Sequence, residues 1–134
     1  MVTFSEAVVA KDLDAVEDML ADEVVFTSPV AYRPYPGKAI TISILRAVVE
    51  VFEDFKYIRE IQDDHEHAYI FTAEINGLSV TGCDFLTFDE EGKIADFMVM
   101  VRPLKAAQAL AAAMADRYPS IQEAAARIEE TQGK

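Results

Sequence analysis

A single cysteine, Cys83, is all that the 134 residues offer to thiol chemistry. An internal disulfide and a thiolate zinc cluster are therefore excluded. Tryptophan is absent, and histidine occurs only at His65 and His67. Basic residues are scarce, 12 against 24 acidic ones, for a formal charge of −12. So acidic a chain repels polyanions, and neither nucleic acid nor an anionic membrane surface is an expected partner. No glycine-rich phosphate loop occurs, so no cofactor is expected. Long apolar runs are missing as well. The longest, residues 39–52, is broken by Arg46 and Glu50 and is too short to span a bilayer. The N-terminus lacks the basic-then-apolar pattern of a signal peptide. With the lone cysteine, this makes a cytoplasmic location the expectation.

What remains is an ordinary globular mixture, 51% apolar and 27% charged, without repeats or low-complexity tracts. Its length suits one compact body. Thr3-Phe4-Ser5-Glu6 has the form of a capping box opening a short helix. Asp12 can cap a second, with Leu13, Val16 and Leu20 at helical spacing. Residues 24–28 are β-branched and predict a strand that Pro29 ends. Pro29, Pro34, Pro36 and Gly37 mark a loop. A third helix is predicted over Lys38 to Phe52, with apolar residues on more than one side.

From Phe55 the periodicity changes from helical to alternating. It predicts strands at 55–62, 68–75, 78–88 and 94–102. Asn76-Gly77 is a hairpin signal, and Asp89-Glu90-Glu91-Gly92 is another turn. After Pro103 the chain is alanine-rich and helical, with a break expected at Pro119. Ser120-Ile121-Gln122-Glu123 then predicts a capping box and a last helix. The order predicts an α+β fold, a curved antiparallel sheet wrapped around the N-terminal helices, with an extra helical C-terminal tail. Residues 1–103 form the main unit and 104–134 an extension packed on it.

One residue disturbs the pattern. In Val80-Thr81-Gly82-Cys83-Asp84-Phe85-Leu86-Thr87-Phe88, alternation puts Asp84 on the face of Val80, Gly82, Leu86 and Phe88. A buried carboxylate must be paired, hydrated or protonated. Asp84 is thus a poised acid in a pocket, an ion-pair partner of Arg59 or Arg102, or a solvated rim group. Residues 96–102 raise a second question. Phe97, Val99 and Val101 make one apolar face, and Met98 and Met100 make the other. A strand apolar on both faces needs cover on both. Either a second copy of the chain covers Met98 and Met100, giving a homodimer through the sheet, or the alanine-rich tail folds over them.

Four segments carry a family resemblance. They are residues 11–16, 25–30, 36–40 and 84–94, which read KDLDAV, VFTSPV, PGKAI and DFLTFDEEGKI. In their order and spacing the chain resembles the nuclear-transport-factor-two-like superfamily, in the branch of the ketosteroid isomerases and SnoaL-like polyketide cyclases. The resemblance implies a cone-shaped barrel with an apolar pocket, usually dimeric. It implies that Asp84 matches the aspartic acid of the isomerase oxyanion hole, the handiest case of a carboxyl kept neutral by an apolar site. Such a proton can be donated to a carbonyl or enolate oxygen. The isomerase's general-base aspartate and its tyrosine donor fall on Ser28 and Phe4, so ketosteroid isomerisation itself is not expected. An epoxide hydrolase needs two aspartates and an arginine around a water; Asp84 with Arg59 or Arg102 would mimic part of this, but no second inward aspartate is evident.

Two functions follow as alternatives. One is a protein binding a small apolar molecule, with isomerase-, cyclase- or dehydratase-like chemistry, Asp84 as acid or hydrogen-bond donor and Tyr69 as orienter. The other is a non-catalytic ligand-storage or protein-interaction module of the same fold. Phe4, Phe26, Ser28, Tyr32, Phe71, Leu86, Val99 and Val101 are the expected ligand contacts, with Ala73 beside Phe71. Tyr32 and Tyr35 either form a lid or pack down their loop. Ser28 either bonds its own backbone, its commoner use, or faces the pocket. His65 and His67 lie in a turn whose spacing is weak for a metal, and no metal site is assigned. Cys83 faces away from Asp84 and reads as an inert small residue.

Overall fold

A computed structural model describes residues 2–132. Helices α1 (Phe4–Val9) and α2 (Leu13–Met19) lead into strand β1 (Leu20–Thr27). The two-residue strand β2 (Tyr35–Pro36) precedes helix α3 (Lys38–Val51). Strands β3 (Glu53–Gln62), β4 (Glu66–Ile75), β5 (Leu78–Phe88) and β6 (Ile94–Arg102) form a meander, and helix α4 (Leu104–Gln132) ends the chain.

The local signals near the N-terminus work as their chemistry requires. The Thr3 hydroxyl accepts from the Glu6 N–H, and Glu6 accepts from the Thr3 N–H at 3.0 Å. Asp12 accepts from the Ala15 N–H at 3.2 Å. Asn76 and Gly77 both take positive φ, 49° and 78°, as a tight hairpin needs. Helix α3 is covered on several sides. Ala39, Ile42, Ile44 and Leu45 are buried, and its buried Thr41 and Ser43 donate their hydroxyls back to the carbonyls of Gly37 and Ala39. Arg46 ties α3 to α2 through Asp14 and Glu17.

The sheet corrects the expected architecture. Its order is β2-β1-β6-β5-β4-β3, so β2 and β3 are the edge strands, each paired on one side only, and the sheet is neither closed nor strongly curled into a cone. Nor is it purely antiparallel: β1 runs parallel to β6. The edges explain the open form. Pro36 lacks an N–H to offer a further strand. β3 is interrupted by two register shifts and carries charged Glu53, Lys56, Arg59 and Glu60. The strand expected at 24–28 starts earlier, at Leu20, across an irregular register with β6.

The tail is also corrected. Pro119 lies inside α4 and Ser120 caps nothing, because one helix runs from Leu104 to Gln132. Buried Ala106, Leu110, Ile121 and Ala125 keep one face in phase across the proline. Packing of that face offsets the hydrogen bond that proline cannot make. Ala106 and Leu110 pack with Phe52, Phe71 and Val80. The helix therefore covers the sheet face of Phe71, not the face of Met98 and Met100, where Met100 stays 54% exposed. The alternative of the tail over those methionines is thus removed. No helix among the described residues is long and apolar enough to cross a membrane.

Candidate functional site

Between the helices and one sheet face lies a cavity of about 330 Å³. Strand alternation fixes which side chains reach it. Directly paired residues share a face, and Asp84 pairs with Val99 on β6 while Gly82 pairs with Phe71 on β4. Val99, Phe71, Phe97, Phe55 and Tyr57 line the sheet side. Phe4, Val8, Leu13, Val16, Ile44, Leu45 and Val48 supply helix walls, and Leu110 and Met114 of α4 close part of one side. Val9, Lys11, Glu50, Glu53 and Asp54 bring exposed groups to the lining, so one end carries charge.

Asp84 sits in this wall only 7% exposed. Its Oδ2 accepts a 2.7 Å hydrogen bond from the Tyr57 hydroxyl. Its Oδ1 has no hydrogen-bond partner among the described residues and is not sealed from the cavity that Asp84 lines. Burial pushes the Asp84 carboxyl up to about 7, and the Tyr57 hydrogen bond pulls it down less strongly. Burial and the neighbouring carboxyl hold the Tyr57 hydroxyl far above the usual phenol range, so it stays a donor. Aromatic rings fix Tyr57 in place: Phe55 meets it edge-on at 5.0 Å between centroids, and Tyr69 lies at 5.7 Å.

No cation among the described residues pairs with Asp84. The described residues contain two ion pairs, and both belong to Arg46. Arg59 fails to reach Asp84 for a reason hidden in β3. Tyr57 pairs with Phe71, but Arg59 pairs with Ile70, so a bulge at Ile58 inserts one residue and reverses the faces beyond it. Unbroken alternation from Phe55 would turn Arg59 inward. Arg102 pairs with Thr81, on the Cys83 face, and is equally remote. The partial aspartate–arginine arrangement of an epoxide hydrolase therefore does not form around Asp84.

The other expected site residues divide. Phe4, Phe26, Ser28, Phe71 and Val99 line the cavity. Leu86 is core, while Val101 and Ala73 pack beside Phe71 and outside the lining. Tyr32 is 99% exposed and covers nothing. Tyr35 packs near Tyr118, 6.3 Å between ring centroids. Tyr69 is buried but outside the lining, with its hydroxyl 2.8 Å from Nδ1 of His67. The hydroxyl on Asp84 thus comes from Tyr57, which the sequence reading passed over. Its signal was its shared face with Phe55, two residues before it. Ser28 accepts from the Val30 N–H at 3.1 Å, the local use its position suggests. Cys83 lies on the opposite face, and burial raises its thiol. No cluster of three metal-ligating side chains occurs among the described residues.

Comparison with known proteins places this geometry. The sequence profile described as a SnoaL-like domain matches residues 2–97. The chain belongs to the SnoaL-like family. That family lies in the nuclear-transport-factor-two-like superfamily, with the ketosteroid-isomerase-like proteins beside it. A Pseudomonas aeruginosa crystal structure, described as a steroid delta-isomerase, is 36% identical with a TM-score of 0.82. The match covers 89% of this chain and 88% of that one. A Silicibacter pomeroyi protein with a cystatin-like fold is 31% identical, TM-score 0.81, over 90% of this chain and 89% of its own. An epoxide hydrolase-like protein from M. tuberculosis shares the fold at 21% identity and TM-score 0.59, over 84% and 86%. No curated protein matches the chain significantly.

Proposed function

We propose that the cavity binds a small, largely apolar carbonyl compound whose oxygen accepts a hydrogen bond from protonated Asp84. One observation carries the reading: a deeply buried carboxyl has one oxygen held by Tyr57 and the other open to an apolar cavity, with no ion-pair partner among the described residues. With Tyr57 donating to Oδ2, the proton of the neutral acid belongs on Oδ1, where it faces the ligand. Polarising a carbonyl this way stabilises the oxyanion that develops when an adjacent carbon loses a proton or forms a bond. This suits isomerase-, cyclase- or dehydratase-like chemistry, and similarity to a steroid delta-isomerase supports the class. The test is ketone affinity against pH. Wild type should bind a hydrophobic cyclic ketone more tightly below about pH 6 than above about pH 8, and Asp84→Asn should lose that dependence. No binding by wild type, or an unchanged pH profile in the variant, would sink the reading.

A second reading, ligand binding without turnover, is favoured by Ser28. The position where the isomerase carries its base holds a hydroxyl engaged with Val30 N–H, and a serine so held abstracts no carbon-bound proton. Deuterium exchange at the ligand's α-carbon separates the two, since storage gives none above solvent background.

We also propose that two copies pair through the uncovered sheet face. Register places Ile70, Cys83, Phe85, Met98 and Met100 on it, away from all helices packed on the Phe71 side. An apolar sheet face left without cover suits a self-complementary interface.

A further inference from the structure

We infer that the Asp84 cavity continues beneath the proline-rich loop, and that its ligand carries an extended apolar chain lying there. The inference rests on the carbonyl reading above and adds the ligand's shape and charge. A second pocket, of about 310 Å³, lies between that loop, α3 and α4. Ala31, Tyr35, Ala111, Ala115 and Tyr118 help to line it. It shares Ser28, Val30, Ile44 and Met114 with the Asp84 cavity. Four common wall residues put the two spaces back to back, with side chains as the partition. Met114 is the movable part of it. It is unbranched, half-buried and set on α4, so a rotamer change joins the spaces without moving backbone.

Polarity gives the ligand a direction. Glu50, Glu53 and Asp54 stand with Lys11 in the lining of the Asp84 cavity, and none of them lines the second pocket. A strongly anionic head group, such as a phosphate-bearing carrier, is disfavoured there, the more so in a chain of charge −12. The second pocket offers mainly aliphatic and aromatic walls, with Tyr35 and Tyr118 adjoining one another. The geometry therefore suits a neutral alkyl ketone or aldehyde, with its oxygen on Asp84 and its chain passing Met114. The whole α4 wall lies beyond residue 97, where the family match ends, so chain length is selected in part by a segment outside the matched domain.

Calorimetric affinities for methyl ketones, from methyl butyl to methyl nonyl, test this in wild type and in Ala115→Phe. Ala115 is exposed and lines the second pocket alone, so the added ring fills that space without burdening the core. In wild type, affinity should rise up to about fourfold per methylene along the series. In the variant the ratio of long-chain to short-chain affinity should fall by about tenfold or more. Ala31→Phe, entering from the loop, should act alike and guards against a folding defect in either variant. A flat series in wild type, or a ratio untouched by both variants, overturns the chain site while leaving the Asp84 reading intact. Failure of every ketone to bind overturns both.

Discussion

A protonated carboxyl facing an apolar cavity is stable where a carboxylate is not, and that difference is measurable. The Asp84 carboxyl is raised to about 7 in the folded chain from about 3.8. Between those values the native chain holds a proton that the unfolded chain has lost. Stability should therefore fall as pH rises from about 4 to about 7, by a few kcal/mol at most, and then level off. Asp84→Asn, which can still accept from Tyr57, removes this term. Its melting temperature relative to wild type should climb across that window, read by thermal unfolding at a series of pH values. A constant difference would mean that Asp84 ionises as easily in the folded chain as in the unfolded one. Gly82 is the other decisive residue. A Cβ there would collide with the Phe71 ring and approach the Met100 carbonyl oxygen to 2.8 Å. Gly82→Ala should cost about 1–3 kcal/mol in urea unfolding and disturb the cavity, because Phe71 lines it. Asp84 was legible from alternation within one strand. Tyr57 shares the face of Phe55 by plain alternation, but a single strand does not tell which hydroxyl a facing strand will set on Asp84. The outward turn of Arg59 was hidden, because the bulge at Ile58 reverses β3 beyond Tyr57 and alternation cannot announce an inserted residue.

At the scale of the element, legibility followed the strength of the boundary signals. β5 and β6 begin and end where alternation and turn residues place them, at Leu78–Phe88 and Ile94–Arg102. The Thr3 capping box formed, whereas the equally good pattern at Ser120 did not. The difference is tertiary: α4 keeps its buried stripe through Pro119, so ending the helix there would uncover Ile121 and Ala125. Pro119→Ala restores the missing backbone donor at an exposed position. It should raise stability by about 1–3 kcal/mol, measured by chemical denaturation. No gain would mean that the proline fits the helix without the usual loss.

For the whole molecule, strand order was readable as far as the meander, while the sheet's open form was not. Edge pairing depends on Pro36 and the β3 bulges, and a strand pattern alone does not tell a closed sheet from an open one. The dimer proposal also belongs to this scale. Met100→Asp adds a charge at an exposed site on the uncovered face and should halve the mass found by sedimentation equilibrium without lowering helix content. A wild type that is already monomeric would end that proposal and leave the cavity untouched. The most direct measurement of the central claim is a carbon-13 NMR titration of the Asp84 carboxyl, alone and saturated with a hydrophobic ketone. The account predicts a midpoint near 7 in the free protein, moving upward when ketone is bound. A midpoint near the ordinary value of about 4, unmoved by ketone, would contradict it.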